Sequence, residues 1–205
     1  MSGTLFVVSA PSGAGKTSLV KALVQALPSL CVSVSYTSRT PRPSEKEGID
    51  YQFVSLEKFQ QLIASQEFLE HAQVFHHAYG TSRGWVEQRL AQDQDVILEI
   101  DWQGARQIRN SMPEVASIFI LPPSRETLAI RLKSRGQDDD SVIRERLNKA
   151  KSEISHYNEY DYLVINQDFE QTLTQLKSII EACRLACSRQ EIRQSSLIKS
   201  LLATS

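Results

Sequence analysis

The sequence predicts an α/β protein: a mostly parallel sheet flanked by helices, with two excursions standing over its ligand edge. Three observations carry this reading. Apolar runs beginning at Leu5 (LFVV), Val96 (VILEI), Ala116 (ASIFIL) and Tyr162 (YLVI) have the length and composition of buried strands, and stretches of helical periodicity separate them. The first run enters a turn of small residues, SAPSGAGKT, that leads straight into a helix. Residues 35–83 and 125–157 break the alternation with polar segments rich in proline or arginine.

Taken in order, the first helix begins near Gly15 or Lys16, carries Leu19, Leu23 and Leu27 on one face, and ends at Pro28. Residues 31–35 alternate as a short strand. At Tyr36 the character changes, because residues 37–49 (TSRTPRPSEKEGI) are polar and hold Pro41, Pro43 and Gly48. Residues 51–54 are expected as a strand and 57–64 as a short helix with Phe59, Leu62 and Ile63 inward. Residues 68–75 form another strand, followed by a loop ending in Tyr79-Gly80-Thr81. Ser82 is placed to cap a helix that runs to about Gln92.

The strand at 96–100 has Asp101 at its carboxyl end, and Glu99 interrupts its apolar run, pointing toward a cleft. A helix over 103–111 stops at Pro113, and the strand over 116–121 stops at Pro122-Pro123. Ser124 caps a helix over 125–134, residues 135–140 (RGQDDD) read as a charged hinge, and 141–159 return as a helix. The last core strand is 162–165 and the long amphipathic helix is 169–187. A polar tail (SRQEIRQSS) then runs on to a final short helix over 197–202.

Composition narrows the classes. A chain of 205 residues buries a sizeable core. Its formal net charge of -1, from 23 basic and 24 acidic residues, offers no broad attraction to nucleic acid or membrane. Cys31, Cys183 and Cys187 form no CxxC pair and read as thiols in a reducing compartment. The opening MSGTLFVV lacks the basic start of a secretion signal, and no segment approaches the roughly 18 apolar residues of a membrane span. A cytoplasmic address is expected. Oligomeric state, monomer or homo-oligomer, stays open.

The turn Ser12-Gly13-Ala14-Gly15-Lys16-Thr17-Ser18 carries the clearest chemistry. Small residues let successive N–H groups point into one concavity, and a helix N-terminus adds its positive end, so an anion belongs there. Lys16 reaches the terminal phosphates of a nucleotide as a point charge, and the Thr17 hydroxyl is placed for a magnesium ion. The strict pattern has glycine at position 10, where this chain has Ala10. Such a loop serves ATPases, GTPases and small-molecule kinases alike, and the arginines separate them. Arg39 and Arg42 lie in the first excursion, and Arg131 and Arg135 share a helical face in the second. Arg144 and Arg146 follow, two apart, so that only one of them enters a site. Guanidinium groups on two movable pieces suit a site that brings two phosphorylated molecules together.

The phosphate loop SAPSGAGKTSL, the segments VSYTSRTPRPSEKEGIDYQFVS and EFLEHAQVFHHAYGTS, the strand end LEIDWQGA, and IFILPPS with RLKSRGQDDD resemble guanylate kinase, most closely the bacterial single-domain type. The resemblance covers essentially the whole chain and implies the P-loop nucleoside monophosphate kinase fold. It divides the chain into a core (1–34, 84–124, 158–205), an α+β GMP-binding subdomain (35–83) and a helical lid (125–157). It implies transfer of the γ-phosphoryl of MgATP to GMP, giving ADP and GDP.

On that resemblance Arg39, Arg42, Tyr51 and Tyr79 hold the GMP phosphate, while Ser35, Glu70, Thr81 and Asp101 surround guanine. Lys16, Arg42, Arg131, Arg135 and Arg146 form the catalytic electrostatic set, and Asn166 borders the adenine pocket. His76-His77-Ala78 departs from the family's usual Gly-Asn-Tyr arrangement before Tyr79, and Gln167 stands where many relatives have aspartate. His71, His76 and His77 read as loop or packing residues rather than metal ligands. Competing readings are another nucleoside monophosphate kinase, told apart by acceptor choice, and a noncatalytic binding module, which should have lost the phosphate-loop or arginine chemistry retained here. A nucleic-acid-acting P-loop protein is disfavoured by the near-neutral charge.

Overall fold

The computed structural model describes residues 3–74, 76–134 and 140–203, with the side chains of 140–142 left out. The chain starts with β1 (Leu5–Ser9), α1 (Lys16–Ala26) and β2 (Leu30–Val32). It makes an excursion through β3 (Tyr36–Thr37), β4 (Gln52–Phe53), α2 (Leu56–Ala64), β5 (Phe68–Val74) and β6 (His77–Ser82). It returns through α3 (Arg83–Ala91), β7 (Asp95–Glu99), α4 (Trp102–Ser111) and β8 (Ala116–Leu121). After α5 (Arg125–Lys133) and α6 (Asp140–Ile154), it closes with β9 (Tyr162–Ile165), α7 (Phe169–Leu185), α8 (Cys187–Arg193) and α9 (Ser195–Leu202).

The core sheet is all parallel, in the order β2-β7-β1-β8-β9. β1 lies at its centre, so both faces of that strand are covered and every one of its residues is buried. Phe6 and Val8 point to one side, where α1 and α7 supply Leu19, Leu23, Leu176 and Ile180. Leu5 and Val7 point to the other, against Val86, Leu90, Ala105 and Ile108 of α3 and α4. This explains the unbroken apolar run: period-two alternation sends neighbours to opposite faces, and neither face is wet. Each such side chain contributes roughly 1.5–3 kcal/mol by leaving water. The expected α/β class, with its parallel sheet between helical layers, is the one observed.

The excursion folds into a separate four-stranded sheet, β4-β3-β6-β5, parallel between β3 and β4 and antiparallel elsewhere. Here one expectation is corrected. The residues after Phe75, expected as a loop, form β6, paired along its length with β5. The turn between them uses His76 at φ 64°, and Phe75 lies outside the described residues. Gly80 and small polar neighbours hide the strand, since its stabilisation comes from its partner rather than from its own apolar pattern. Phe59 of α2 meets Phe68 at 4.6 Å between ring centroids, closing a small core beneath this sheet.

Two helix boundaries also differ from expectation. The helix expected over 141–159 ends at Ile154, and a short 3-10 helix covers Tyr157–Glu159. Glu159 is drawn out of helical register by α4: it accepts from Arg106 and Arg109, each at 2.6 Å, and pairs with His156 Nδ1 at 2.6 Å. The helix expected over 169–187 ends at Leu185, and after a break at Ala186 (ψ 135°) the polar tail begins with α8. Of the hinge expected at 135–140, residues 135–139 lie outside the described residues and Asp140 already begins α6. Among the described residues no helix is long and apolar enough to cross a membrane.

The tail is secured by one buried charge. The Asp95 carboxylate, 1% exposed, accepts from the Thr4 N–H at 2.7 Å, from Arg184 Nε at 2.6 Å and from Arg193 Nη2 at 3.1 Å. Deleting one partner of a buried ion pair leaves uncompensated charge behind. Asp95→Ala is therefore expected to lower stability by about 3 kcal/mol, read as a lower urea midpoint with an unchanged slope.

Candidate active site

β1 ends at Ser9, whose hydroxyl donates to the Ile100 carbonyl at 2.8 Å and ties the strand's exit to the end of β7. The chain then turns, with the Ala14 N–H donating to the Pro11 carbonyl at 3.0 Å, and enters α1 through Gly13 at φ 92° and Gly15 at φ 95°. Both glycines hold left-handed backbone that L side chains rarely adopt. At Gly15 a Cβ would also come within 2.5 Å of Asn166 Nδ2. Ala10 is not among the residues with positive φ, so the departure from glycine there brings no strain.

A cleft of about 720 Å³ opens in front of this loop. Its walls include Ser12, Gly13, Gly15, Lys16 and Thr17 on one side and Ser35, Arg42, Tyr51, Glu70 and Tyr79 on the other, with Asp101 between them. Most of the expected site residues thus meet in one space although they come from separate sheets. Ser18 is exposed in the first turn of α1. Arg39 forks onto Glu45 at 2.7 and 2.8 Å and lies over the Tyr51 ring at 5.4 Å, while Arg42 is half exposed at the cleft wall. On α6, Arg146 is half-buried and Arg144 exposed, so the two face different ways. Arg135 lies outside the described residues.

Three expected residues sit behind the surfaces rather than on them. Arg131 donates to the Ala14 carbonyl at 3.3 Å and the Asn166 carbonyl at 3.1 Å. Asn166, almost fully buried, donates from Nδ2 to the Ala14 carbonyl at 2.7 Å. Thr81 is completely buried and donates to Glu70 Oε1 at 2.6 Å. Asp101 divides its carboxylate between the cleft and the start of α4, accepting from the N–H groups of Gln103 and Gly104, each at 3.1 Å.

Three acidic residues outside the expected site set join it. Glu99, expected to point toward a cleft as the polar break in an apolar strand, accepts from the Thr17 hydroxyl at 3.1 Å. Glu153 accepts from the Ser12 N–H at 3.3 Å, and its signal was the spacing of two helical turns from Arg146 on one face of α6. Burial raises the Glu153 carboxyl above its ordinary range. Glu45 organises the two arginines of the excursion and also accepts from the Arg42 N–H at 2.8 Å.

Glu70 is the most perturbed group in the cleft. At 3% exposure it is deprived of water, which pushes its carboxyl up to about 7; the nearby Asp101 charge adds to the rise and the Thr81 hydroxyl opposes it. A buried carboxylate with one oxygen fixed by a hydroxyl is a preorganised acceptor for paired N–H donors.

This geometry has close counterparts. A sequence profile described as guanylate kinase matches residues 2–183. Proteins named guanylate kinase from Saccharophagus degradans and Vibrio cholerae are 57% and 56% identical over 201 and 203 residues, covering 98% of each chain compared. The crystal structure of guanylate kinase from Anaplasma phagocytophilum superposes with a TM-score of 0.78 at 35% identity, over 94% of both chains. Identity above one half along almost the full length of such relatives leaves one conclusion, that the chain belongs to the guanylate kinase family.

Proposed function

We propose that the cleft moves the γ-phosphoryl of ATP to GMP, giving ADP and GDP, as the family's name implies. The observation that carries this reading is a single cleft with an anion-binding loop at one end and a buried carboxylate, Glu70, at the other. The first suits a nucleoside triphosphate. The second suits guanine, which presents N1–H and an exocyclic amine side by side.

In this reading the loop N–H groups and Lys16 hold the ATP phosphates, with Ser18 at the helix start. Arg39, Arg42, Tyr51 and Tyr79 hold the GMP phosphate, and Ser35, Glu70, Thr81 and Asp101 surround the base. Arg131, Arg135 and Arg146 bring positive charge from the lid (125–157) over the core, opposite the GMP-binding subdomain (35–83). Asn166 takes the adenine side through its hold on the loop. No general base is needed, because the accepting phosphate oxygen is already ionised near neutral pH. The protein aligns donor and acceptor in line, offsets the charge spread over the transferring group, and excludes water on closure.

Magnesium fits this donor set. Among the described residues no group of three histidines, cysteines or carboxylates could hold a metal by itself, while the Thr17 hydroxyl and the Glu99 carboxylate are hard oxygen donors beside the phosphate loop. When bound with ATP, the ion would be held by Thr17, with Glu99 alongside, and would supply charge neutralisation at the phosphates. Neither nucleic acid nor a membrane enters the reading, and the free thiols of Cys31, Cys183 and Cys187 support a reducing, cytoplasmic setting.

The test is a coupled assay of ADP release from MgATP with GMP, AMP, UMP or CMP as acceptor. GMP should exceed AMP by at least about 100-fold in kcat/KM, since adenine has no N1–H and leaves the Glu70 site mispaired. Lys16→Ala should abolish turnover in a folded protein. Equal rates with AMP would overturn the guanine assignment.

Glu70 adds a pH-dependent prediction. With its carboxyl raised from 4.5 to about 7, the folded protein keeps a proton there that the unfolded chain has lost. Stability from this group therefore falls as pH rises between those values, by up to about 3 kcal/mol. Glu70→Gln should melt higher than the native protein at about pH 8 and lose that slope, while KM for GMP rises. A lower melting temperature for the variant at that pH would contradict the assigned burial penalty.

A further inference from the structure

The stretch DWQGA supplies Asp101 to the cleft, yet the face of α4 that follows it also meets Glu70. We propose that Gly104 and Gln107 are positioning residues that set where the Glu70 carboxylate stands, and thereby set discrimination of guanine from other bases. The proposal rests on Glu70 being the acceptor for guanine.

Gly104 lies in the first turn of α4 and has no positive φ. Glycine inside a helix costs about 1 kcal/mol relative to alanine, so the backbone gives no reason for it here. Space gives one. A Cβ at this position would overlap Glu70 Oε2 and stand 3.0 Å from the Glu70 carboxyl carbon. The bare patch on the helix is where the second oxygen of Glu70 rests, while Thr81 holds the first at 2.6 Å.

Gln107 stands one turn further along the same helix. Its carboxamide pairs with both halves of the His71 backbone: Oε1 accepts from the His71 N–H at 3.1 Å, and Nε2 donates to the His71 carbonyl at 2.7 Å. β5 is the edge of its sheet, so this side chain takes the place of a missing neighbouring strand. The peptide groups it pins belong to the residue directly after Glu70. Glu70 is thus located by three elements: its backbone by Gln107, Oε1 by Thr81, and Oε2 by the gap at Gly104.

Two N–H donors side by side on a base demand an acceptor placed to a fraction of an ångström. A carboxylate pushed off α4 would still be buried and charged but would no longer face both donors. The consequence is confined to GMP, because the side chain of Gln107 bonds to His71 and Gln103 and the gap at Gly104 faces Glu70.

The test uses steady-state kinetics of the full-length protein with MgATP and either GMP or AMP. The variants are Gly104→Ala, Gln107→Met, Glu70→Ala and the Gly104→Ala/Glu70→Ala double. Gly104→Ala should raise KM for GMP by about 10- to 100-fold and narrow the GMP-to-AMP ratio of kcat/KM. Its KM for ATP should stay within about twofold of native, and adding it to Glu70→Ala should change KM for GMP by less than about twofold again. Gln107→Met, which keeps volume and removes both hydrogen bonds, should shift KM for GMP in the same direction and decides the matter if Gly104→Ala does not fold. An unchanged KM for GMP in both α4 variants, an equal loss for GMP and ATP, or full additivity in the double variant overturns the proposal while leaving Glu70 as the acceptor. An unchanged GMP preference in Glu70→Ala overturns that assignment, and the proposal with it.

Discussion

A loop that turns its N–H groups toward an anion must turn carbonyls the other way, and buried carbonyls need donors. The Ala14 carbonyl meets this constraint with two, Asn166 Nδ2 at 2.7 Å and Arg131 Nη1 at 3.3 Å. Asn166 is itself placed by the sheet, since its N–H donates to the Leu121 carbonyl at 2.8 Å just beyond the β8–β9 register. The concave front of the loop thus depends on strand order behind it. The left-handed glycines make the curl possible, and the last core strand holds it.

What could be read in the sequence follows from whether a signal is local. The strands β1, β7, β8 and β9 are buried in a parallel sheet, so their apolar runs are nearly continuous and stand out. The caps at Ser82 and Ser124 were equally visible, and each side chain accepts from the N–H three residues on. β6 was hidden because its stability is borrowed from β5 across a turn. α8 was hidden because seven residues are too few for a periodic signal, and its anchor, Asp95, lies about half the chain away.

The site divides in the same way. The phosphate loop is contiguous and was readable residue by residue. Glu70 was singled out through the family resemblance, but the triangle it makes with Thr81 and Gly104 joins three segments and exists only in space. Arg131 was chosen for its charge alone, and its donation to the Ala14 and Asn166 carbonyls is a contact that residue type does not reveal. The other side of α4 is equally occupied: Trp102 stacks on His156 at 3.7 Å, and Arg106 and Arg109 hold Glu159, two residues past the second excursion. One ten-residue helix therefore carries the attachments of both excursions.

The bond from Asn166 to Ala14 spans 152 residues, which has a consequence for the order of events during synthesis. The loop leaves the ribosome well before the donor that satisfies its buried carbonyl, which follows 152 residues later. β1 likewise waits for β7, with Leu5 pairing to Val96, before the centre of the sheet exists. Contacts this distant must pay their loop-closure entropy before they return any stability, which slows folding. A nascent chain therefore completes the support of this loop only after β9 has emerged, so a segment translated early is finished late.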